Sequence, residues 1–249
     1  METISTWIVF QFISLVLVMA GLAVLATRVA GRANAEIPFT ATRWTVGALV
    51  VISLWLGITF MLAEQHVLSN FSRMPSPFMI VLFASTAFTV ILSAVSPWGK
   101  RIANGFSFQA LFGFQAFRIL VETLLMILHK AGVAPIQLTF EGRNFDILTG
   151  VLALTVLIFF NQNHISKTIY AILNLIGLSL VLNVVLVGFL SLPTPFRIFA
   201  DDNTWITQAP FIWLPTFLVQ VALSGHILSF RKLMVERETK PVMGLAKAR

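Results

Sequence analysis

A polytopic all-α membrane bundle is what this sequence predicts, and three observations carry that reading. Of its 249 residues, 57% are hydrophobic and only 11% charged, with a mean hydropathy of +0.89, far above the range of soluble domains. Its apolar runs outlast ordinary core helices and reach the length needed to cross a bilayer. Its basic residues collect in alternate segments between those runs, the pattern that membrane insertion imposes.

Seven spans are expected: Trp7–Thr27, Trp44–Ala63, Pro77–Pro97, Phe106–Ala131, Ile147–Asn161, Thr168–Leu190 and Pro210–Phe230. The opening METISTWIVF has no positive n-region, and no small-residue cleavage pattern follows it, so the first run is expected to be a retained span. Pro77 marks a helix start. The third span carries Ser85, Thr89, Ser93 and Ser96 on one face, and the seventh carries Thr216, Gln220 and Ser224. Small polar residues at helical spacing are the usual glue between membrane helices. The fifth segment is the weakest, because it barely crosses the hydrocarbon unless Asn161 to Asn163 continue it. A six-span alternative would omit it. Asn183 and Gln220, costly amides inside spans, are expected to face protein. The stretch LPTPFRIFADDNTWITQAP mixes Phe196, Phe199 and Trp205 with Asp201 and Asp202, a composition suited to an interfacial cap. Residues 1–230 thus read as a seven-helix transmembrane domain and 231–249 as a short basic cytoplasmic tail.

Charge predicts the orientation. With the N-terminus outside, the inner segments carry Arg28, Arg32, Arg43, Lys100, Arg101, Lys167, Arg231, Lys232, Arg237, Lys240, Lys247 and Arg249, twelve of the seventeen basic residues. Arg73, Lys130, Arg143 and Arg197 fall outside, and Arg118 lies within a span. The expected orientation therefore has the N-terminus outside and the C-terminus cytoplasmic.

Composition also excludes function classes. The net charge of +7 is spread singly through loops and tail, with no aromatic-interleaved patch, so nucleic acid is not an expected partner. The absence of cysteine removes disulfides, thiolate metal sites and cysteine nucleophiles. No span holds two histidines a few residues apart. His66 with His129, and His164 with His226, are the pairings a bis-histidine haem would need, and two of the four lie in loops. A zinc hydrolase would want clustered His and Asp late in the chain, where only His226 stands, so no metal site is expected. Ser224-Gly225-His226 is contiguous and cannot face itself as a catalytic dyad. No lysine between Pro210 and Phe230 is available to hold retinal.

The polar residues that break the apolar pattern lie between Gln115 and Asp146. On a continuous helix from Phe106 to Ala131, Gln115, Arg118, Glu122 and His129 share a stripe roughly 60° wide, about 20 Å long at 1.5 Å per residue. A charge near mid-bilayer costs about 2.5 to 3.5 kcal/mol on insertion scales, whereas an i,i+4 ion pair supplies only a few tenths. Arg118 and Glu122 must therefore be buried in protein or wetted by a cavity. They form either a register-locking ion pair or a site for an ion, proton or polar ligand. The following loop, TFEGRNFD, adds Glu141, Arg143, Asn144 and Asp146 around Gly142. In one reading Asn144 or Asp146 caps the fifth helix. In the other the loop dips into the outer mouth of the bundle, and Glu141 and Arg143 complete a site with Glu122 and His129.

The stretch FRILVETLLMILHKAGVAPIQLTFEGRNFDILTG, from Phe117 to Gly150, resembles a segment of uncharacterised bacterial multi-pass membrane proteins that reads FRxxVE, then TFEGRNFD, then glycine. It covers about a seventh of the chain. The resemblance implies a bacterial inner-membrane setting and brings no activity or cofactor with it.

The leading expectation is an integral membrane protein that binds or moves a small polar or ionic ligand at an outward-facing site. The site would use Gln115, Arg118, Glu122, His129, Glu141, Arg143 and Asp146. Arg118 would be the anion or counter-ion partner and Glu122 the proton or cation acceptor. Two alternatives stand beside it: a membrane sensor or accessory subunit working through a protein partner or a homo-oligomer, and an intramembrane enzyme, in one version haem-dependent. Discontinuous helices, common in secondary transporters, are not evident in the sequence.

Overall fold

A computed structural model describes residues 5–160 and 166–238, and every regular element among them is helical. Asn161 to Asn163, His164 and the tail from 239 onward lie outside the described residues. In chain order the helices are α1 (Thr6–Ala33), α2 (Pro38–Glu64), α3 (Pro77–Ala94), α4 (Pro97–Gly105), α5 (Phe108–Gly113), α6 (Arg118–Lys130), α7 (Ile147–Phe159), α8 (Lys167–Phe189) and α9 (Val219–Glu238).

Local chemistry sets the starts. Ser76, Ser96, Ser107 and Ser166 each accept the backbone N–H three residues on, at 3.3, 3.1, 3.1 and 3.2 Å, and so cap α3, α4, α5 and α8. Pro77 and Pro97 occupy first helical positions, where a missing N–H leaves nothing unpaired. Ser96-Pro97 accordingly ends the third span and turns the chain into the short α4.

Six helical stretches are long and apolar enough to cross a membrane: Thr6–Ala33, Pro38–Glu64, Pro77–Ala94, Phe108–Lys130, Lys167–Phe189 and Leu214–Val235. Ile147–Phe159 is apolar but has only 13 residues. At 1.5 Å per residue it measures about 20 Å, against roughly 30 Å of hydrocarbon. The distribution of polarity is that of a protein whose solvent is lipid. Phe10, Leu17, Leu54, Ile80, Ile91, Ile172 and Leu186 are exposed on the outside of their helices, while Arg118, Glu122, Asp146 and His226 are buried. With no hydrophobic drive between helices in lipid, packing and polar contacts hold them together. Thus α3 packs on α9 through its buried Ser85, Thr89 and Ser93. The Ser93 hydroxyl meets that of Ser224 at 2.8 Å, and Gln220 Nε2 donates to Thr86 Oγ1 at 3.2 Å and to the Pro215 carbonyl at 3.0 Å.

The bundle has two chemically different ends. At the loop end, Ser69 meets Thr207 through their hydroxyls (2.8 Å), and Gln137 donates to the Asp201 carbonyl and to Ser191 (both 3.1 Å). There too the Arg143 guanidinium lies 5.5 Å from the Phe199 ring. At the basic end, Arg101 pairs with Glu36 and donates to the Thr27 carbonyl (2.7 Å), Arg231 donates to the Ser96 carbonyl (2.8 Å), and Lys167 and Lys232 lie over Phe108.

Three segments depart from a regular, full-length α-helical span. The fourth span is not the continuous helix expected from Phe106 to Ala131: it tightens into a 3-10 turn at Phe114–Phe117. The last span opens with a π-turn at Leu214–Leu218, which holds Pro215. The third departure is α7. Its first residues lie beside Arg118, near the middle of Phe108–Lys130, and its last carbonyls at Val156, Leu157 and Phe160 accept from Gln109 Nε2 on α5 (3.4, 3.2 and 2.6 Å). Helix α7 is therefore a half-helix that begins deep in the bundle. The chain reaches that depth from Lys130 through the loop 131–146. Discontinuity invisible in the sequence is thus present in the fold, because nothing in the apolar run Ile147–Phe159 records the depth at which it starts.

Candidate functional site

The centre of the bundle is built on Arg118, the first residue of α6, which is 2% exposed. Its side chain leans back toward the start of its own span, as helical side chains do. Nη1 donates to the Gly177 carbonyl of α8 at 3.3 Å and to His226 Nε2 of α9 at 3.2 Å. Nε lies 2.9 Å from Asp146 Oδ2 as an ion pair whose N–H is not aligned as a hydrogen bond, and Nη2 has no hydrogen-bond partner among the described residues. Because a guanidinium can only donate, His226 Nε2 must accept. The His226 Nδ1 proton then goes to Asn174 Oδ1 at 2.8 Å, while Asn174 Nδ2 donates to the His226 carbonyl at 3.0 Å. One tautomer of His226 and one orientation of Asn174 satisfy all of these contacts.

Glycines let the elements approach this closely. A Cβ on Gly177 would stand 2.5 Å from His226 Cε1 and 2.8 Å from Thr149 Cγ2. One on Gly150 would stand 2.7 Å from Ile119 Cγ1, so the first turn of α7 packs directly on the backbone of α6.

Glu122, one turn beyond Arg118, is 2% exposed and takes both of its hydrogen bonds from a single amide, Asn144 Nδ2, at 2.8 Å to each carboxylate oxygen. The same amide donates to the Leu138 carbonyl at 3.0 Å, and Asn144 Oδ1 accepts the Asp146 N–H at 3.0 Å. Asp146 stands at the N-terminus of α7 and accepts from Thr149 Oγ1 at 3.4 Å. Its charge is therefore opposed by Arg118 and by the positive end of the α7 dipole. One guanidinium faces two buried carboxylates, a formal charge of −1 when both are ionised.

The loop 131–146 does enter the bundle, and the residues it delivers are Asn144 and Asp146. Of the expected site residues, Arg118, Glu122 and Asp146 come together. Gln115 is buried but turns to α9, where its Nε2 donates to the Ala222 carbonyl at 3.0 Å against Gly225. His129 Nδ1 bonds the Ala134 carbonyl at 2.9 Å in the turn that ends α6. Glu141 and Arg143 are exposed at the loop end. Asn174 and His226 join the cluster without any sequence signal, since they lie 56 and 108 positions beyond Arg118 along the chain.

Against this cluster lies a cavity of about 80 Å³. Arg118, Glu122 and Asp146 line it at mid-depth, and Asn203, whose Oδ1 is buried and unpartnered, lines it from the loop side. The rest of the wall is apolar, with Phe78 and Leu82 from α3, Val181 and Phe189 from α8, and Leu192 and Ile206 from the cap. The 3-10 turn, the start of the half-helix α7 and the π-turn all border it, through Phe117, Asp146 and Leu214, Pro215 and Leu218 respectively. Irregular backbone inside a membrane bundle is tolerated where it lines a cavity, and π-turns collect at functional sites.

Six membrane-length helices around a buried ionic cluster define a multi-pass membrane protein with a polar centre. The chain belongs to the family described as a domain of unknown function, DUF8737, which matches residues 75–234. That region runs from the start of α3 into α9 and includes every residue of the cluster and of the cavity wall. No curated protein and no solved structure matches the chain.

Proposed function

We propose that this protein binds a small ligand through a polar or ionic group held by Arg118, Glu122 and Asp146, and that it moves or senses that ligand from within a bacterial inner membrane. The observation that carries this reading is the cavity that ends on an ionic cluster of odd formal charge, with Arg118 Nη2 still unpartnered. A purely structural ion pair is best served by equal charges in a closed, packed surround. Here one further proton, cation or hydrogen-bond donor balances the second carboxylate, and there is room for it.

We further propose seven crossings with the N-terminus outside. Support comes from α7, which links the level of Arg118 to the basic end, and from the Arg and Lys side chains that collect at that end. Because the natural chain has no cysteine, single cysteines at Ser72 and Ser166 report topology directly. A membrane-impermeant maleimide added outside should label the first and spare the second.

Ligand binding is tested by melting the protein in nanodiscs with sodium chloride, ethylammonium chloride, octylammonium chloride or octanol. At least one should raise the Tm of the wild type and leave Glu122→Gln unmoved. Equal shifts in both proteins, or none in either, would remove the site from consideration.

A further inference from the structure

The lining of the cavity says which kind of ligand the site takes. A site for a hydrated ion is walled with oxygens and stays wet. This wall is aliphatic and aromatic except at the Arg118–Glu122–Asp146 end and at Asn203. From the loop side it is roofed by Leu192 and Ile206, both buried. An ion entering through that roof would lose its hydration shell against hydrocarbon before reaching a carboxylate, at a cost of several kcal/mol or more. An apolar chain gains contacts along the same wall.

The cavity also has an exposed side. Helices α3 and α8 both pack along α9. Between them stands Phe189, which lines the cavity and is half-buried. Its ring lies 6.3 Å from that of Phe83 and 6.2 Å from that of Phe196, and both of these side chains are exposed on the outside of the bundle, Phe83 on the membrane-length helix α3. Phe189 therefore stands between the cavity and the bilayer-facing surface. Its ring is half-buried and also packs on the hydrophobic core, and a partly exposed aromatic ring can swing aside by changing rotamer.

Resting on the ligand reading above, we infer that the occupant is an amphiphile from the bilayer: an apolar chain with a hydrogen-bond-donating head, a protonated amine or a hydroxyl, that enters between α3 and α8 past Phe189 and seats its head on Glu122. The head must donate, because both carboxylates only accept when ionised, and among the described residues the Asn144 amide is the only hydrogen-bond donor to Glu122. A hydroxyl additionally accepts from the unpartnered Arg118 Nη2. An ammonium instead neutralises the odd charge. An anionic head meets two carboxylates and is refused. Size sets the chain: at roughly 10–15 Å³ per water-sized group, the cavity of about 80 Å³ takes about five to eight such groups. Longer tails would trail out past Phe189 into lipid.

The experiment uses the full chain in nanodiscs with octylamine, octanol, octanoate and ethylamine as probes. Octylamine, octanol or both should raise the Tm by about 5 to 10 °C near saturation, with octanoate inert and ethylamine far weaker. Leu82→Phe, which fills the apolar wall away from the charges, should abolish the shift while Glu122 remains intact. In Phe83→Cys/Phe189→Cys, bridging with dibromobimane before the probe is added should block the shift, and bridging afterwards should preserve it. If ethylamine matches octylamine and Glu122→Gln abolishes both, the polar site stands and the amphiphile is overturned. If no probe gives a Glu122-dependent shift, both readings fall. Binding that survives Leu82→Phe, or an octanoate shift equal to that of octylamine, overturns the cavity and head assignments respectively. An unimpeded shift in the pre-bridged protein overturns the lateral route.

Discussion

Replacing Arg118 with methionine should destabilise this bundle more than any other single change in the polar centre, and replacing Asp146 as well should add less than Asp146→Asn costs on its own. The substitution keeps an unbranched, flexible stem but leaves Glu122 and Asp146 both buried without their guanidinium, and it removes the bonds to Gly177 and His226. Breaking a buried pair from one side costs about 3 to 5 kcal/mol. Asp146→Asn leaves one cation facing one carboxylate and forfeits only a charged contact, worth about 1.5 to 3 kcal/mol. In Arg118→Met/Asp146→Asn the remaining carboxylate, Glu122, keeps its Asn144 amide. The double mutant should therefore lose less than the sum of the singles, by about 1 to 3 kcal/mol of coupling. Reversible unfolding in mixed micelles, titrated with dodecyl sulfate and followed by circular dichroism, measures all four corners of the cycle. Additivity to within about 0.5 kcal/mol, the figure for independent sites, would show that Arg118 and Asp146 do not depend on each other, and the charge count built on them would collapse.

Three further outcomes follow from individual contacts. Gly177→Ala places a methyl 2.5 Å from His226 Cε1. It should cost about 1 to 3 kcal/mol in the same assay and move the His226 imidazole resonances. Gly142→Ala puts a Cβ 2.1 Å from the Ile136 carbonyl, which is backbone and cannot swing away. The loop should shift and withdraw Asn144, seen as faster proteolysis after Arg143 and a loss of about 1 to 3 kcal/mol. Ser224→Ala removes only the Ser93 hydroxyl contact and should cost about 0.6 kcal/mol, the usual worth of a polar contact between membrane helices.

The class of protein and six of the seven expected segments were readable because lipid-facing helices need only length and apolarity, and α3 and α9 meet through small polar residues. Arg118 and Glu122 stood out because charge inside an apolar run is costly. Their surroundings were far less legible. The stripe from Gln115 to His129 assumed unbroken helical geometry, and the 3-10 turn at Phe114–Phe117 rotates Gln115 toward α9 instead. Within TFEGRNFD the long charged side chains of Glu141 and Arg143 look the most chemical. The depth of the loop, however, is set by backbone packing around Gly142, and it is the shorter Asn144 and Asp146 that arrive inside. His226 and Asn174 are single polar residues on different spans. Their meeting depends on how α8 and α9 pack, and no local spacing encodes that.

The mid-depth start of α7 has a consequence for how the protein is made. Arg118 and Glu122 enter the bilayer with their own span, each at about 2.5 to 3.5 kcal/mol, and the residues that meet them, Asn144 and Asp146, come later in the chain. The segment that relieves them is itself too short to partition as an independent hairpin arm. Relief of the two buried charges therefore requires the loop 131–146 to fold back beside the span that carries them. The ionic centre is completed last, when α9 delivers His226.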